Sequence, residues 1–150
     1  MDNQTVHIPI KSSRVLSFLR AKYAPDGYYK LSSKHSLGIF ISSLLVTKNK
    51  CPQYIKYDAV KCFSIVLGSY KHMNRKCFIL PGAIDEFNNY VEHKMKEYFF
   101  EWMSFYRRFS GTDVKACIEQ FIADHNLPDS ETDVEYFRTT YKRFNKKNAA

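Results

Sequence analysis

PGAIDEFNNYVEHKMKEYFFEWMSFYRRF, residues 81–109, decides how the rest of the chain is arranged. Pro81 and Gly82 set a boundary, and neither residue type recurs before Gly111. Between them Ile84, Phe87, Val91, Met95, Tyr98, Trp102, Phe105 and Phe109 fall three or four apart, the spacing that keeps side chains on one face of an α-helix. From Tyr98 onward Phe99, Phe100, Met103 and Tyr106 make the other faces apolar too. A helix that is apolar nearly all round must be covered on several sides. The stretch predicts a central, packed helix that belongs to the core and is not itself a site.

Downstream, Ser110-Gly111-Thr112 breaks the chain, and DVKACIEQFIADHN starts a second helix with Val114, Cys117, Ile118, Phe121, Ile122 and His125 on one face. Leu127-Pro128-Asp129-Ser130 is a turn, and Ser130 with Asp133 reads as an acidic variant of the capping box. The final helix, ETDVEYFRTTYKRFN, carries the stripe Val134, Phe137, Tyr141 and Phe144. Its first turn is acidic and its last basic, as the macrodipole favours.

Upstream, Thr5 to Ile10 reads as a strand that Pro9 confines to an edge or an end. Ser12 or Ser13 caps a helix whose apolar face is Val15, Leu16, Leu19 and Tyr23. Pro25-Asp26-Gly27 is a turn, and Tyr28 to Leu31 a brief strand. Ser32 or Ser33 opens a helix over about Lys34–Val46, in which Gly38 permits close packing. The segment from Ala59 to Gly68 has two readings: a buried helix capped by Asp58, or the first strand of the hairpin CFSIVLG–SYKHMNR–KCFIL. The alternation of Phe63, Ile65 and Leu67 with Cys62, Ser64 and Val66 favours the hairpin. The expected fold is one α+β domain over 1–150, predominantly helical: a long central helix, a C-terminal αα-hairpin and a small β-hairpin or sheet in the N-terminal half.

The net charge of +8 is unevenly spread. Residues 1–80 hold 13 Lys/Arg against three acids, a balance of +10, and residues 81–150 hold 10 against 12, a balance of −2. Such asymmetry points to an anionic partner, nucleic acid before acidic protein or membrane surface. A solvated lysine-rich surface is the plainer explanation. Tyrosines interleave with the cations at Lys22-Tyr23, Tyr28-Tyr29-Lys30, Tyr54-Ile55-Lys56-Tyr57 and Tyr70-Lys71-His72, a pattern that suits phosphate contact with base stacking. The candidate phosphate ligands of this half are Lys48, Lys50, Lys56, Lys71, Arg75 and Lys76.

Residues 112–145 have a helix-turn-helix look, with Arg138, Lys142 and Arg143, followed by Lys146 and Lys147, as phosphate contacts on the second helix. Glu131, Asp133 and Glu135 occupy the end that would meet the bases, so an αα-hairpin packed on the central helix explains the pattern better. Tyr106-Arg107-Arg108-Phe109 and Tyr141-Lys142-Arg143-Phe144 echo one another at two helix ends. Cations there complement the orphan carbonyls whether or not they bind anything else.

Cys51, Cys62, Cys77 and Cys117 include no CxxC pair. Cys62, His72 and Cys77, with His35 or Cys51, lack the tight ligand pairs of zinc sites, so buried reduced thiols and no metal are expected. No Walker loop, GxSxG, HExxH or dinucleotide fingerprint occurs, so neither a cofactor nor catalysis is expected. The opening MDNQTVHIPIKSS is unlike a signal peptide, and the apolar run Leu37 to Val46 is too short for a bilayer. A cytoplasmic protein without membrane contact is expected.

Residues 113–144, above all FIADHNLPDSETDVEYFRTTYKRF, resemble the C-terminal ends of short basic proteins carried by bacterial phages and conjugative elements. The resemblance implies a mobile-element or virus-associated protein and transfers no functional residue. The expected function is a non-enzymatic nucleic-acid-binding accessory protein, with DNA as the expected ligand. The alternative is a protein-interaction or virion-structural module that uses surplus aromatics around Tyr98–Tyr106, as a homo-oligomer or with another protein.

Overall fold

A computed structural model describes residues 5–47, 61–68 and 78–148. In chain order the elements are β1 (Thr5–Pro9), α1 (Ser13–Tyr23), β2 (Tyr29–Lys30), α2 (Ser36–Leu44), β3 (Leu45–Val46), β4 (Cys62–Val66), β5 (Phe78–Ile79), α3 (Pro81–Ser110), α4 (Val114–Asp124) and α5 (Glu131–Asn148). The protein is α+β and mostly helical.

The long helix α3 starts at Pro81, where a missing N–H costs nothing, and ends at Gly111, whose φ of 67° gives the left-handed cap. Phe87, Val91, Met95, Phe99 and Met103 are fully buried along it. Helix α4 runs back along α3, its start capped by Asp113 Oδ1 accepting from Ala116 N–H, and Trp102 meets Phe121 while Tyr98 meets His125. Helix α5 then runs parallel to α3: Tyr136 reaches Glu92, Phe99 packs on Phe137, and Phe100 stacks on Phe144 with centroids 3.9 Å apart. Phe99, Phe121 and Phe137 are fully buried where the three helices meet.

The main sheet has the order β1-β4-β2, β4 antiparallel to β1 and parallel to β2. Phe63, Ile65 and Leu67 lie fully buried, as their alternation predicts. On the other face His7 Nδ1 and Ser64 Oγ pair across the strands at 2.8 Å, in the register that aligns those residues. Pro9 ends an edge strand, where a missing donor does no harm.

The expected pairing of 62–68 with 77–80 does not form. β5 pairs instead with β3 in a separate two-stranded sheet. As the central strand, β4 has both edges occupied and nothing left to offer Phe78 and Ile79. Helix α2 begins at Ser36 with His35 as its N-cap, two or more residues later than Ser32 or Ser33 would place it. Ser32 Oγ accepts from Lys34 N–H instead. Gly38 does serve close packing: a Cβ there would lie 1.8 Å from the Ser32 carbonyl oxygen.

The sheet half and the helical half share a continuous set of buried side chains from Val6 to Tyr141. Polar clips join them as well. Buried Asn88 on α3 accepts from Lys11 N–H at 2.9 Å and donates to the Pro9 and Ile84 carbonyls at 2.9 and 2.8 Å. Arg14 on α1 donates through Nε and Nη2 to Asp133 Oδ1 on α5, at 3.0 and 2.9 Å. Its guanidinium also lies 3.9 Å over the Tyr136 ring. Burial, then the hydrogen bond to Glu92, push the Tyr136 phenol above its usual range.

Candidate nucleic-acid interface

Because α3 and α5 run parallel, both aromatic–basic–basic–aromatic motifs end at the same edge of the helical layer. Arg107 Nη1 donates to Tyr141 Oη at 3.0 Å, which ties one motif to the other. That hydrogen bond is the first cause that raises the Arg107 guanidinium above its ordinary range. Arg108, Lys142, Arg143, Lys146 and Lys147 are exposed around this contact. None of those five forms an ion pair among the described residues.

Several acids mark the opposite edge, though Glu101 on α3 and Asp113 at the start of α4 lie toward the basic one. Asp85 and Glu86 open α3, Asp124 closes α4, and Glu131, Asp133 and Glu135 open α5. The balance of −2 over residues 81–150 is therefore a polarised layer and not a neutral one. The acids that open α3 and α5 and the bases that close them oppose helix-end partial charges, so part of this order stabilises those helices, whereas Asp124 at the end of α4 does not. Five exposed cations at two helix C-termini still exceed the roughly −0.5 partial charge that each terminus carries.

Of the nine cations expected to meet phosphate, Arg138, Lys142 and Arg143 are exposed on α5. Lys142 and Arg143 lie toward the basic edge, though Arg143 also borders a groove that holds Arg14, Lys96, Glu131 and Glu135. Arg138 lies a turn earlier, in a groove between α4 and α5 with Lys115, Glu119, Asp129 and Glu131, and so in mixed company. Lys48, Lys50, Lys56, Lys71, Arg75 and Lys76 fall outside the described residues, as do the tyrosines at 54, 57 and 70. Arg107 and Arg108 were legible only as half of the repeated motif; which edge they share with α5 depends on helix direction.

The recognition-helix reading of α5 meets an obstacle at its first turn. Ser130 Oγ accepts from Asp133 N–H at 3.2 Å and donates to its carboxylate. Asp133 is buried and bound by Arg14. The end a recognition helix presents to bases is thus packed against α1. The αα-hairpin accounts for residues 112–145.

Phe105 and Phe109 are 69% and 72% exposed and pack together with centroids 4.8 Å apart. Their neighbours on α3 turn inward: Trp102 stacks on Tyr106 and both lean on the core. Periodicity alone places Trp102, Phe105 and Phe109 together on the buried stripe, with Tyr106 on another apolar face.

Cys62 and Cys117 are buried thiols. Cys51, His72 and Cys77 lie outside the described residues, and His35 stands at the start of α2. No group of three His, Cys, Asp or Glu side chains fit to hold a metal ion occurs among the described residues. No described helix is long and apolar enough to cross a membrane. Comparison with protein-family models, curated proteins and solved structures returned no match.

Proposed function

We propose that this chain is a non-enzymatic nucleic-acid-binding accessory protein, of the kind carried by phages and mobile elements. The observation that carries the reading is a basic edge that forms no ion pair among the described residues: Arg108, Lys142, Arg143, Lys146 and Lys147 on a chain of net charge +8. Phosphates approach that edge, and the cations of residues 1–80 extend the attraction. Phe105 and Phe109, on the last turns of α3, offer faces on which bases stack. DNA is the ligand favoured, in single-stranded form, because stacking on exposed rings needs unpaired bases.

Fluorescence anisotropy of a labelled single-stranded DNA tests this across salt. If four phosphates are neutralised, log K against log salt falls with a slope of about −3. Replacing Lys142, Arg143, Lys146 and Lys147 by Gln should flatten that slope by most of its value. Absence of binding at low salt refutes the reading, and an unchanged slope in the Gln variant removes this edge from it.

A further inference from the structure

Glu101, Phe105 and Arg108 stand at i, i+4 and i+7, a spacing that aligns three side chains along one helix face. All three are exposed, Ser104 beside them is exposed and small, and Phe105 keeps 69% of its surface in contact with water. The three border one shallow depression with Glu97, Phe100, Ser104 and Phe144, and Glu97 there is already paired with His93 and Lys94 on its own helix. Neither Glu101 nor Arg108 forms an ion pair among the described residues. Glu101 does lie near enough to Lys22 to favour its charged form.

We infer that this face is a two-fold contact between two copies of the chain. The symmetry supplies the argument. A two-fold axis perpendicular to two antiparallel helices requires one patch to complement itself. With the axis passing between Ser104 and Phe105, Glu101 of each copy meets Arg108 of the other, giving two ion pairs of opposite sign around one apolar centre. The two Phe105 rings meet each other at that centre, flanked by their own Phe109 neighbours. The two Ser104 side chains face each other on the remaining side, where their size lets the backbones approach to the 8–10 Å typical of packed helices. An acid on one side of the axis and a base at equal distance on the other, with an exposed ring beside the axis, is the order that a symmetric contact needs. Two bases or two acids would repel their own copies. A contact of one helix face is small, so the dimer forms and dissociates readily. It shares Arg108, Phe105 and Phe109 with the proposed nucleic-acid edge, so a second copy seated here competes with bases for those rings, yet neither reading needs the other.

Sedimentation equilibrium of the full chain, over a concentration series, reads the association directly. Wild type is expected to show reversible dimers that weaken in high salt. Glu101→Arg or Arg108→Glu sets like charges together twice in each dimer and should weaken association by about tenfold or more. The double variant E101R/R108E restores opposite charges across the axis and should recover most of the lost affinity. Phe105→Ser should abolish association while leaving the circular dichroism spectrum and melting temperature close to wild type, since the ring touches little but Phe109. A wild type that stays monomeric throughout the series overturns the inference and leaves this face to a different partner. A double variant no better than the single ones overturns the two-fold arrangement.

Discussion

Replacing Asn88 by Ala removes three hydrogen bonds with a single side chain. The Ile84 carbonyl keeps its place in the helix ladder of α3, so its loss matters least. Lys11 N–H and the Pro9 carbonyl have no such reserve: they lie at the corner between β1 and α1, where the chain leaves the sheet and regular pairing has ended. A backbone group left unsatisfied in a protected place costs about 1–3 kcal/mol. Two such groups, at a corner that water partly reaches, bring the expected loss to about 2–4 kcal/mol. Asn88→Asp separates donor from acceptor. It keeps an oxygen for Lys11 N–H but turns a carboxylate toward two carbonyl oxygens, so its cost should equal or exceed that of alanine. Urea denaturation followed by fluorescence of the single Trp102 gives both values, and an unchanged m-value assigns them to the folded state. A loss below about 0.5 kcal/mol for alanine, within the range of an ordinary surface change, refutes the clip.

Gly38→Ala should cost about 3 kcal/mol or more or prevent folding, because the added methyl overlaps the Ser32 carbonyl. Gly82→Ala, with nothing within 4 Å, should instead stabilise by a few tenths of a kcal/mol to about 1. Equal urea midpoints for the two variants would contradict the packing of α2 on the 31–35 turn. Stability should fall in alkali. Burial raises the phenols of Tyr136, Tyr23 and Tyr29 above the ordinary range, so their contribution is whole below about pH 10 and is lost as pH climbs toward the folded values. Lys22, lowered by burial, works in the opposite sense. The stability difference between wild type and Tyr136→Phe should therefore narrow above pH 10, and a constant difference would count against a protected phenol.

Helix positions were legible because their causes are local. Pro81, the left-handed Gly111 and an unbroken apolar stripe bound α3 to within a residue. Ser12 and Asp113 cap the helices that follow them. Strand partners were not legible: β4 finds β1 across some 57 residues, as His7 and Ser64 illustrate, and no short pattern encodes that pairing. Burial at the end of α3 was lost for a similar reason. Periodicity puts Phe105 and Phe109 in line with Trp102, yet α4 and α5 cover the face of α3 that carries Phe99 and Met103, and Phe105 and Phe109 lie off it. The basic edge was half legible. Arg138, Lys142 and Arg143 stood out by composition, but their meeting with Arg107 and Arg108 depends on α3 and α5 running parallel. Asn88 carried no signal, since nothing local marks a polar residue that will serve a corner 77 positions away.

The Arg14–Asp133 pair joins the first helix of the chain to the last across 119 positions. During synthesis, which proceeds from the N-terminus, α1 leaves the ribosome long before its partner exists. The strands wait as well, since β1 and β2 acquire a common neighbour only when β4 emerges. The helical layer is closed by contacts of shorter span, such as Trp102 with Phe121 and Phe121 with Phe137. Short-range contacts form sooner because less chain must be ordered to close them. The expected order of assembly thus runs against the order of synthesis, helical layer first and basic half last. Until α5 is complete, the segment bearing the +10 excess is a nascent chain without its final core. Pulse-labelled ribosome-bound intermediates truncated before Asp133 should accordingly be cut readily by protease within α1.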